Sequence, residues 1–280
     1  MAKGTVFYKT DEEIELMRES NLLVAKTLGL VASMIGTGVS GKKIDTAAEE
    51  FIRDHNAVPG FKGYGGFPAT LCISINDQVV HGIPSDEPFK NGDVVSVDCG
   101  VKMNGFFGDC AFTFAIGDVD QATIELLEVT QESLYIGIEK AIVGARLGDI
   151  SNAIQMFAER EHGYGVVREL VGHGIGRNLH EPPEVPNYGR RGQGPKLKEG
   201  LVIAIEPMVN LGTRHVRQKK DGWTIVTRDN KPSAHFEHSV AIRKNGPDIL
   251  STHEYVEASI KNNPELKEIS RKSQIFAVRK

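Results

Sequence analysis

Apolar residues recur at helical spacing from about Asp11 to Ile35, where Ile14, Met17, Leu22, Leu28 and Val31 interrupt a polar run. Thr10 and Glu13, three positions apart at its start, predict a capping box. Gly36, Gly38 and Gly41 end the pattern. A second helix follows, with Ile44, Ala47, Phe51 and Ile52 on one face. The stretch PGFKGYGGFP reads as loop. TLCISIND, DVVSVDCGV and FFGDCAFTF read as strands, and Asn104-Gly105 joins the last two into a hairpin.

The same order then repeats. A long helix is expected from about Gln121 to Val143, broken by Gly144 and Gly148, then a shorter one carrying Ile150, Ala153 and Phe157. These three stand 106 positions after Ile44, Ala47 and Phe51. GDVVSVD (92–98) is echoed by GLVIAIE (200–206), 108 positions on, each with an acid six residues after its glycine. HGIP (81–84) is echoed by HEPP (180–183). Three echoes in matching order predict two helix-helix-strand halves, about 10–117 and 118–245, sharing one sheet with acidic residues near the junction. Two copies are too few for a solenoid. The segment 251–280 has no counterpart in the first half and stands as a C-terminal extension of unassigned role to a single catalytic domain, 1–250.

Composition narrows the class. With 40% hydrophobic and 25% charged residues in 280, the chain fits a globular protein with a sizeable core. A net charge of -4 argues against a protein built mainly to hold nucleic acid. The N-terminus has no apolar stretch behind its lysines, and no run is long enough for a membrane helix, so a cytoplasmic location is expected. Cys72, Cys99 and Cys110 form no CxxC pair, which excludes both a disulfide framework and a four-ligand Cys/His zinc site.

The candidate chemistry lies in the hairpin. A turn at Asn104-Gly105 opposes Asp98 to Ala111 and puts Asp109 two residues along on the same face, roughly 7–8 Å away as a diagonal neighbour. A one-residue slip would separate them. Val95, Val97, Phe107, Ala111 and Phe112 predict a partly buried site, where two unpaired carboxylates would be costly and cations are the natural remedy. VGHGIG holds His173 between glycines, though a lone loop histidine is more often structural. Glu206 ends an apolar strand before Pro207, and Glu237 sits in the strand FEHSVAI. Lys198 or Arg243 are the alternative, purely structural partners for such glutamates. Four carboxylates and one imidazole suit Mn, Fe or Co.

The ordered set Asp98, Asp109, His173, Glu206 and Glu237 resembles that of the methionine aminopeptidases. So do CISINDQVVHGIP, VDCGVKMNGFFGDCAFTF, VGHGIGRNLHEPPEVPNYG, IEPMVN and DGWTIVTRDNKPSAHFEHSVAI, which together span most of residues 10–245. The resemblance implies an α/β (α+β) pita-bread fold: two pseudo-twofold-related halves sharing a curved, mainly antiparallel sheet. It implies a metallo-exopeptidase, a hydrolase that removes the initiator methionine from nascent proteins with a small second residue; the chain's own Met1-Ala2 would qualify. The five residues would hold two divalent ions (Co, Mn, Fe or Zn), Asp109 and Glu237 bridging both. Glu206 would shuttle the proton, His180 would stabilise the oxyanion, and His81 would touch the substrate amide. Tyr64, Phe67, Cys72, Leu179 and Trp223 match positions lining the methionine pocket. Phe67 and Leu179 stand where relatives often carry tyrosine and phenylalanine, and Phe61 replaces a smaller residue. Cys99 and Cys110 read as packing.

Prolidase and proline aminopeptidase share these ligand types but usually carry an extra N-terminal domain, for which this sequence leaves no room. A catalytically silent binding protein on the same fold is a further alternative, disfavoured by the complete ligand set. The spacing from Glu206 to Glu237 lacks the insertion of the second type, so the resemblance is to the bacterial, type I form. The basic RHVRQKKDG (214–222) reads either as a solvated hairpin or as a contact to ribosomal RNA, and a monomer is expected.

Overall fold

The structure, a computed structural model, describes residues 4–270; Met1-Ala2 and the last ten residues of the C-terminal extension lie outside the described residues. Five α-helices are present among these: α1 (Asp11–Met34), α2 (Gly41–Asp54), α3 (Gln121–Ile138), α4 (Leu147–Gln155) and α5 (Glu254–Ile260). The strands of the first half are β1 (Val58–Pro59), β2 (Leu71–Ile75), β3 (Gln78–Val80), β4 (Val94–Met103) and β5 (Phe106–Ala115). Those of the second are β6 (Gly165–Val166), β7 (Gly172–Gly174), β8 (Glu181–Val185), β9 (Val202–Ile205) and β10 (Met208–Asn210). They continue with β11 (Val216–Gln218), β12 (Ile225–Thr227), β13 (Ser233–His235), β14 (His238–Arg243) and β15 (Gly246–Ile249).

Helix α1 starts where the sequence placed it. The Thr10 hydroxyl accepts from the Glu13 amide at 3.2 Å, and the Glu13 carboxylate accepts from the Thr10 amide at 3.1 Å. Helix α3 ends earlier than expected, at Ile138 rather than Val143. The following segment is drawn into pairing with residues 195–197: Gly144 donates to Leu197 O, and Leu197 donates back to Ala145 O at 2.8 Å. Those bonds outweigh local helix propensity, and Ile142 and Val143 are left exposed. Helix α4 runs into a wider π-type turn, Met156–Glu161.

Every ladder is antiparallel, as expected. The strands do not form one continuous ladder, however. Strand β4 lies between β5 on one edge and β1 and β2 on the other, while the second half builds β15-β14-β9-β7-β8. Two three-stranded sheets, β13-β10-β6 and β11-β12-β3, complete the set; in the latter the β11-β12 hairpin pairs with a strand of the first half. The two large sheets meet at a seam between β5 and residues 235–239. Glu237 N donates to Ala111 O at 3.1 Å, and Ser239 Oγ donates to Asp109 O at 2.9 Å. The Thr113 hydroxyl donates to His235 O at 2.7 Å and accepts from His235 N at 3.0 Å. Pro207, which has no N–H, helps break regular pairing there, so β9 stays in one sheet and β10 joins another.

The core, with Leu28, Ile44, Phe112, Phe114, Ile203 and Phe236 almost wholly buried, lies between the helices and these sheets. An N-terminal arm enters it before α1. Lys9 Nζ meets Glu181 Oε2 at 2.6 Å with both side chains almost wholly buried, and Glu181 Oε1 accepts from Asn178 N at 3.1 Å. This pair ties the arm to the loop that carries Leu179 and His180. Replacing Lys9 by Met strands a buried carboxylate and is expected to cost about 3–5 kcal/mol, read as a lower urea midpoint. Adding Glu181→Gln should restore most of the loss, and an unchanged midpoint for Lys9→Met alone would show that the pair contributes nothing.

Candidate metal and substrate site

The hairpin register sets the first two candidate ligands. Asp98 opposes Ala111 and Asp109 opposes Gly100, so the two carboxylates are diagonal neighbours on one face, as the turn position predicts. Asp109 is 3% exposed. Cys72 opposes Asp98 on the neighbouring strand and so shares that face.

His173 reaches the pair from β7. Glycines flank it because neither position has room for a side chain: a Cβ on Gly172 would strike Ala204 O, and one on Gly174 would lie 2.8 Å from Glu181 O. Its Nδ1 is 3.0 Å from Gly174 O and must donate there, since a carbonyl only accepts. That leaves Nε2 with its lone pair, 3.8 Å from Asp109 Oδ2 and 3.6 Å from Glu206 Oε1. Burial pushes the imidazole down to about 3, so it stays neutral and suited to ligation.

Glu206 follows β9, its carbonyl held by the Asn187 amide at 2.9 Å. Glu237 lies in the gap between β13 and β14 rather than within a strand, fixed by its N–H to Ala111 O at 3.1 Å. The alternative partners are engaged elsewhere. Lys198 lies over the Tyr8 ring, and Arg243 bonds Asp11 and reaches Asp248 at 3.4 Å. One donor atom each from Asp109, His173 and Glu237 fall within 4.8 Å of one another.

The electrostatics call for counter-charge. Burial raises Asp98 to about 7 and Glu206 to about 8, while burial and like charges hold Asp109 and Glu237 well above the usual carboxylate range. Asp98 Oδ1, Asp109 Oδ1 and Glu237 Oε1 are buried with no hydrogen-bond partner among the described residues. Buried carboxylate oxygens without donors, one neutral imidazole and mutual repulsion together fit divalent cations bound among these five residues.

At the rim, the His180 ring lies edge-on to His173 at 4.3 Å between centroids, and its Nδ1 is 2.8 Å from the Tyr64 hydroxyl. His81 adopts a left-handed backbone (φ 58°), and burial, with His235 and His180 nearby, lowers its imidazole to about 4. Phe67, Cys72 and Leu179 are buried in one apolar cluster against which Trp223 packs, its ring 5.2 Å from that of Phe67. Phe61 joins the same cluster, and its ring occupies the space a side chain at residue 100 would need; the bulk is accommodated because that residue is glycine. Tyr64 is half-exposed and connects to the site through His180.

Two features escaped the sequence reading. His235 is 1% exposed with Nε2 3.4 Å from Glu206 Oε2, and its place two residues before Glu237 was the available signal. Cys110 does more than pack, since its thiol donates to Glu237 O at 3.0 Å.

Residues 15–244 match the model of metallopeptidase family M24. A methionine aminopeptidase of Clostridium acetobutylicum is 52% identical over 247 residues, 88% of this chain and 98% of that one. The crystal structure of methionine aminopeptidase from Rickettsia prowazekii superposes with a TM-score of 0.87 at 41% identity, covering 89% of this chain and 100% of that one. A prolidase from Pyrococcus furiosus shares the fold at a TM-score of 0.70 and 23% identity, covering 88% of this chain and 66% of that one. With the pita-bread architecture in place and five ligand-type residues converging at the seam, the chain belongs to metallopeptidase family M24.

Proposed function

We propose that the protein is a methionine aminopeptidase that uses two divalent cations to release the initiator methionine from proteins whose second residue is small. The convergence of Asp98, Asp109, His173, Glu206 and Glu237 supports this most directly, together with 52% identity to a methionine aminopeptidase across nearly all of that relative. These five side chains would hold the cations. When bound, the cations supply Lewis acidity that makes water nucleophilic near neutral pH and polarises the scissile carbonyl.

The remaining steps fall to the chain's own groups. Glu206, set between His173 and His235, accepts the proton of the attacking water and passes it to the leaving amine. A Tyr64 hydroxyl donating to His180 Nδ1 leaves Nε2–H free to donate to the developing oxyanion. His81, kept neutral, lies on the same side and contacts the substrate amide. Phe67, Cys72, Leu179 and Trp223 offer the apolar, partly sulfur-lined surface that a thioether side chain prefers.

Nascent chains are the partner this reaction implies, and a cytoplasmic monomer is the form we infer. Among the described residues no helix is long and apolar enough to cross a membrane. Arg214, His215, Arg217 and Lys220 are exposed around the short β11, and we propose that this 214–220 segment contacts ribosomal RNA. Charge reversal at Arg214, Arg217, Lys219 and Lys220 should then weaken co-sedimentation with ribosomes, most visibly at low salt; unchanged co-sedimentation would remove the contact.

The activity is tested by stripping metal, adding Mn, Fe(II), Co or Zn singly, and following release from peptides beginning Met-Ala and Ala-Pro. Metal-dependent release of methionine from the first alone is expected, and Glu206→Gln should lower kcat by roughly 100-fold or more. Cleavage of Ala-Pro alone would move the protein to the prolyl enzymes, and silence on both would leave a binding protein.

Stability should also depend on pH in a way that reports the site. In the stripped protein the buried acids bind protons more tightly than in the unfolded chain, while His81, His173, His180 and His235 bind them less tightly and give the opposite slope up to about pH 6.5; stability therefore falls as pH rises from about 7 through about 8, where only the acids contribute. Saturating Mn(II), which binds the ionised forms, should abolish or reverse that slope. Thermal midpoints measured across this range with and without metal check the sign; parallel curves would contradict it.

A further inference from the structure

The C-terminal segment beyond the family match reaches the back of the metal-ligand seam. Strand β5, which carries Asp109, has β4 on one edge only. Its other edge is covered in two parts. Residues 235–239 bond positions 109–113, as described above. Farther along, Gly117 N donates to Glu265 O at 2.7 Å, Lys267 N donates to Ala115 O at 3.0 Å, and Leu266 bridges Ile116. His253, 3% exposed at the start of α5, lies against Cys110, Ala111 and Phe112 within the first of these parts.

The backbone of Glu237 is fixed by two bonds, its N–H to Ala111 O and its C=O from the Cys110 thiol. His253 Nε2 lies against both of those partners, 3.2 Å from Ala111 O and 3.4 Å from Cys110 Sγ. Because a carbonyl only accepts, Nε2 carries the proton and donates to Ala111 O. The ring is held in turn: it lies 4.1 Å from His238, at 30°, and meets Phe112 edge-on at 5.0 Å. Ser251, two residues earlier, accepts from Ser239 N at 3.2 Å and bonds His238 Nδ1 at 2.8 Å.

The segment is anchored at its far end as well. Asn263 Nδ2 donates to Ala32 O and Ile35 O, at 2.9 and 2.8 Å, capping the carbonyl end of α1. Gly29 permits close approach, since a Cβ there would lie 2.9 Å from Tyr255 Cβ. Val256, Ile260 and Leu266 are buried in the main core.

We propose that residues 251–267 form a clamp across the seam, and that His253 is a positioning residue which sets the spacing of Asp109 and Glu237 through Cys110 and Ala111. The proposal rests on the metal-centre reading given above, and it gives the extension a role in that centre rather than in partner binding.

The test compares full-length wild type, His253→Phe, His253→Gln and Glu254→Ala, an exposed neighbour, as control. Each stripped protein is titrated with Co(II) calorimetrically and its visible absorption spectrum recorded; kcat and KM on Met-Ala peptide follow. His253→Phe keeps a ring but removes the donor. It should bind the weaker of the two Co(II) ions about 10–100-fold less tightly, alter the spectrum, and lower kcat with KM little changed. His253→Gln, which restores an N–H, should recover part of the affinity, and Glu254→Ala should match wild type.

Wild-type affinity and spectrum in a folded His253→Phe, with only a lower thermal midpoint, would reduce His253 to a packing residue and overturn the proposal. If His253→Phe does not fold, Cys110→Ala decides, because it removes the other bond to Glu237; unaltered Co(II) affinity there would overturn the proposal equally. Wild type that binds Co(II) but never releases methionine would instead count against the proposed activity and leave the clamp to be judged by affinity and spectrum.

Discussion

Four carboxylates confined to one buried place repel each other and lose hydration, and the structure near the seam depends on how that cost is met. Asp98, Asp109, Glu206 and Glu237 all titrate above their ordinary range for this reason. Among the described residues no lysine or arginine pairs with them; Lys198 and Arg243, the candidates the sequence offers, face outward partners. The histidines nearest them, His173 and His235, are pushed toward neutrality by the same burial. The set meets that cost either by holding protons or by binding divalent cations, and the cations are the remedy that keeps the carboxylates ionised.

The fold holds that set in place by backbone means. The Asn104-Gly105 turn fixes a register that puts Asp98 and Asp109 on the same face. Glycines beside His173 let β7 lie against β9 and β8 without side-chain clash. Glu206 and Glu237 sit where regular pairing lapses, and their carboxylates are thereby released from the strict alternation of a strand. The bonds across the seam set the spacing of candidate ligands from opposite halves. Thr113, Ser239 and Cys110 make bonds of this kind, from β5 to the segment that carries Glu237.

Local features were legible in the sequence because their causes are local. The capping box at Thr10 and Glu13, the hairpin register, and the helix-helix-strand repeat each depend on a few adjacent residues. That the five candidate ligand residues converge was legible through resemblance, and for the hairpin pair also through geometry. What the sequence hid was set by distant partners. Helix α3 stops at Ile138 because residues 195–197 claim the chain after it. Glu237 lies off its strand because Ala111 holds it from another sheet. His235, Lys9 and His253 look like ordinary polar residues until folding brings Glu206, Glu181 and Ala111 beside them. The shared sheet was read as continuous, whereas Pro207 and the seam divide its hydrogen bonding.

The central claim is that these five side chains bind two cations at once. Anomalous diffraction from crystals grown with Mn(II), collected at the manganese edge, tests it without reference to any substrate. Two peaks separated by roughly 3.5–4 Å, enclosed by Asp98, Asp109, His173, Glu206 and Glu237, are the predicted result. No peak among these residues, in crystals that bind manganese elsewhere, would contradict the account.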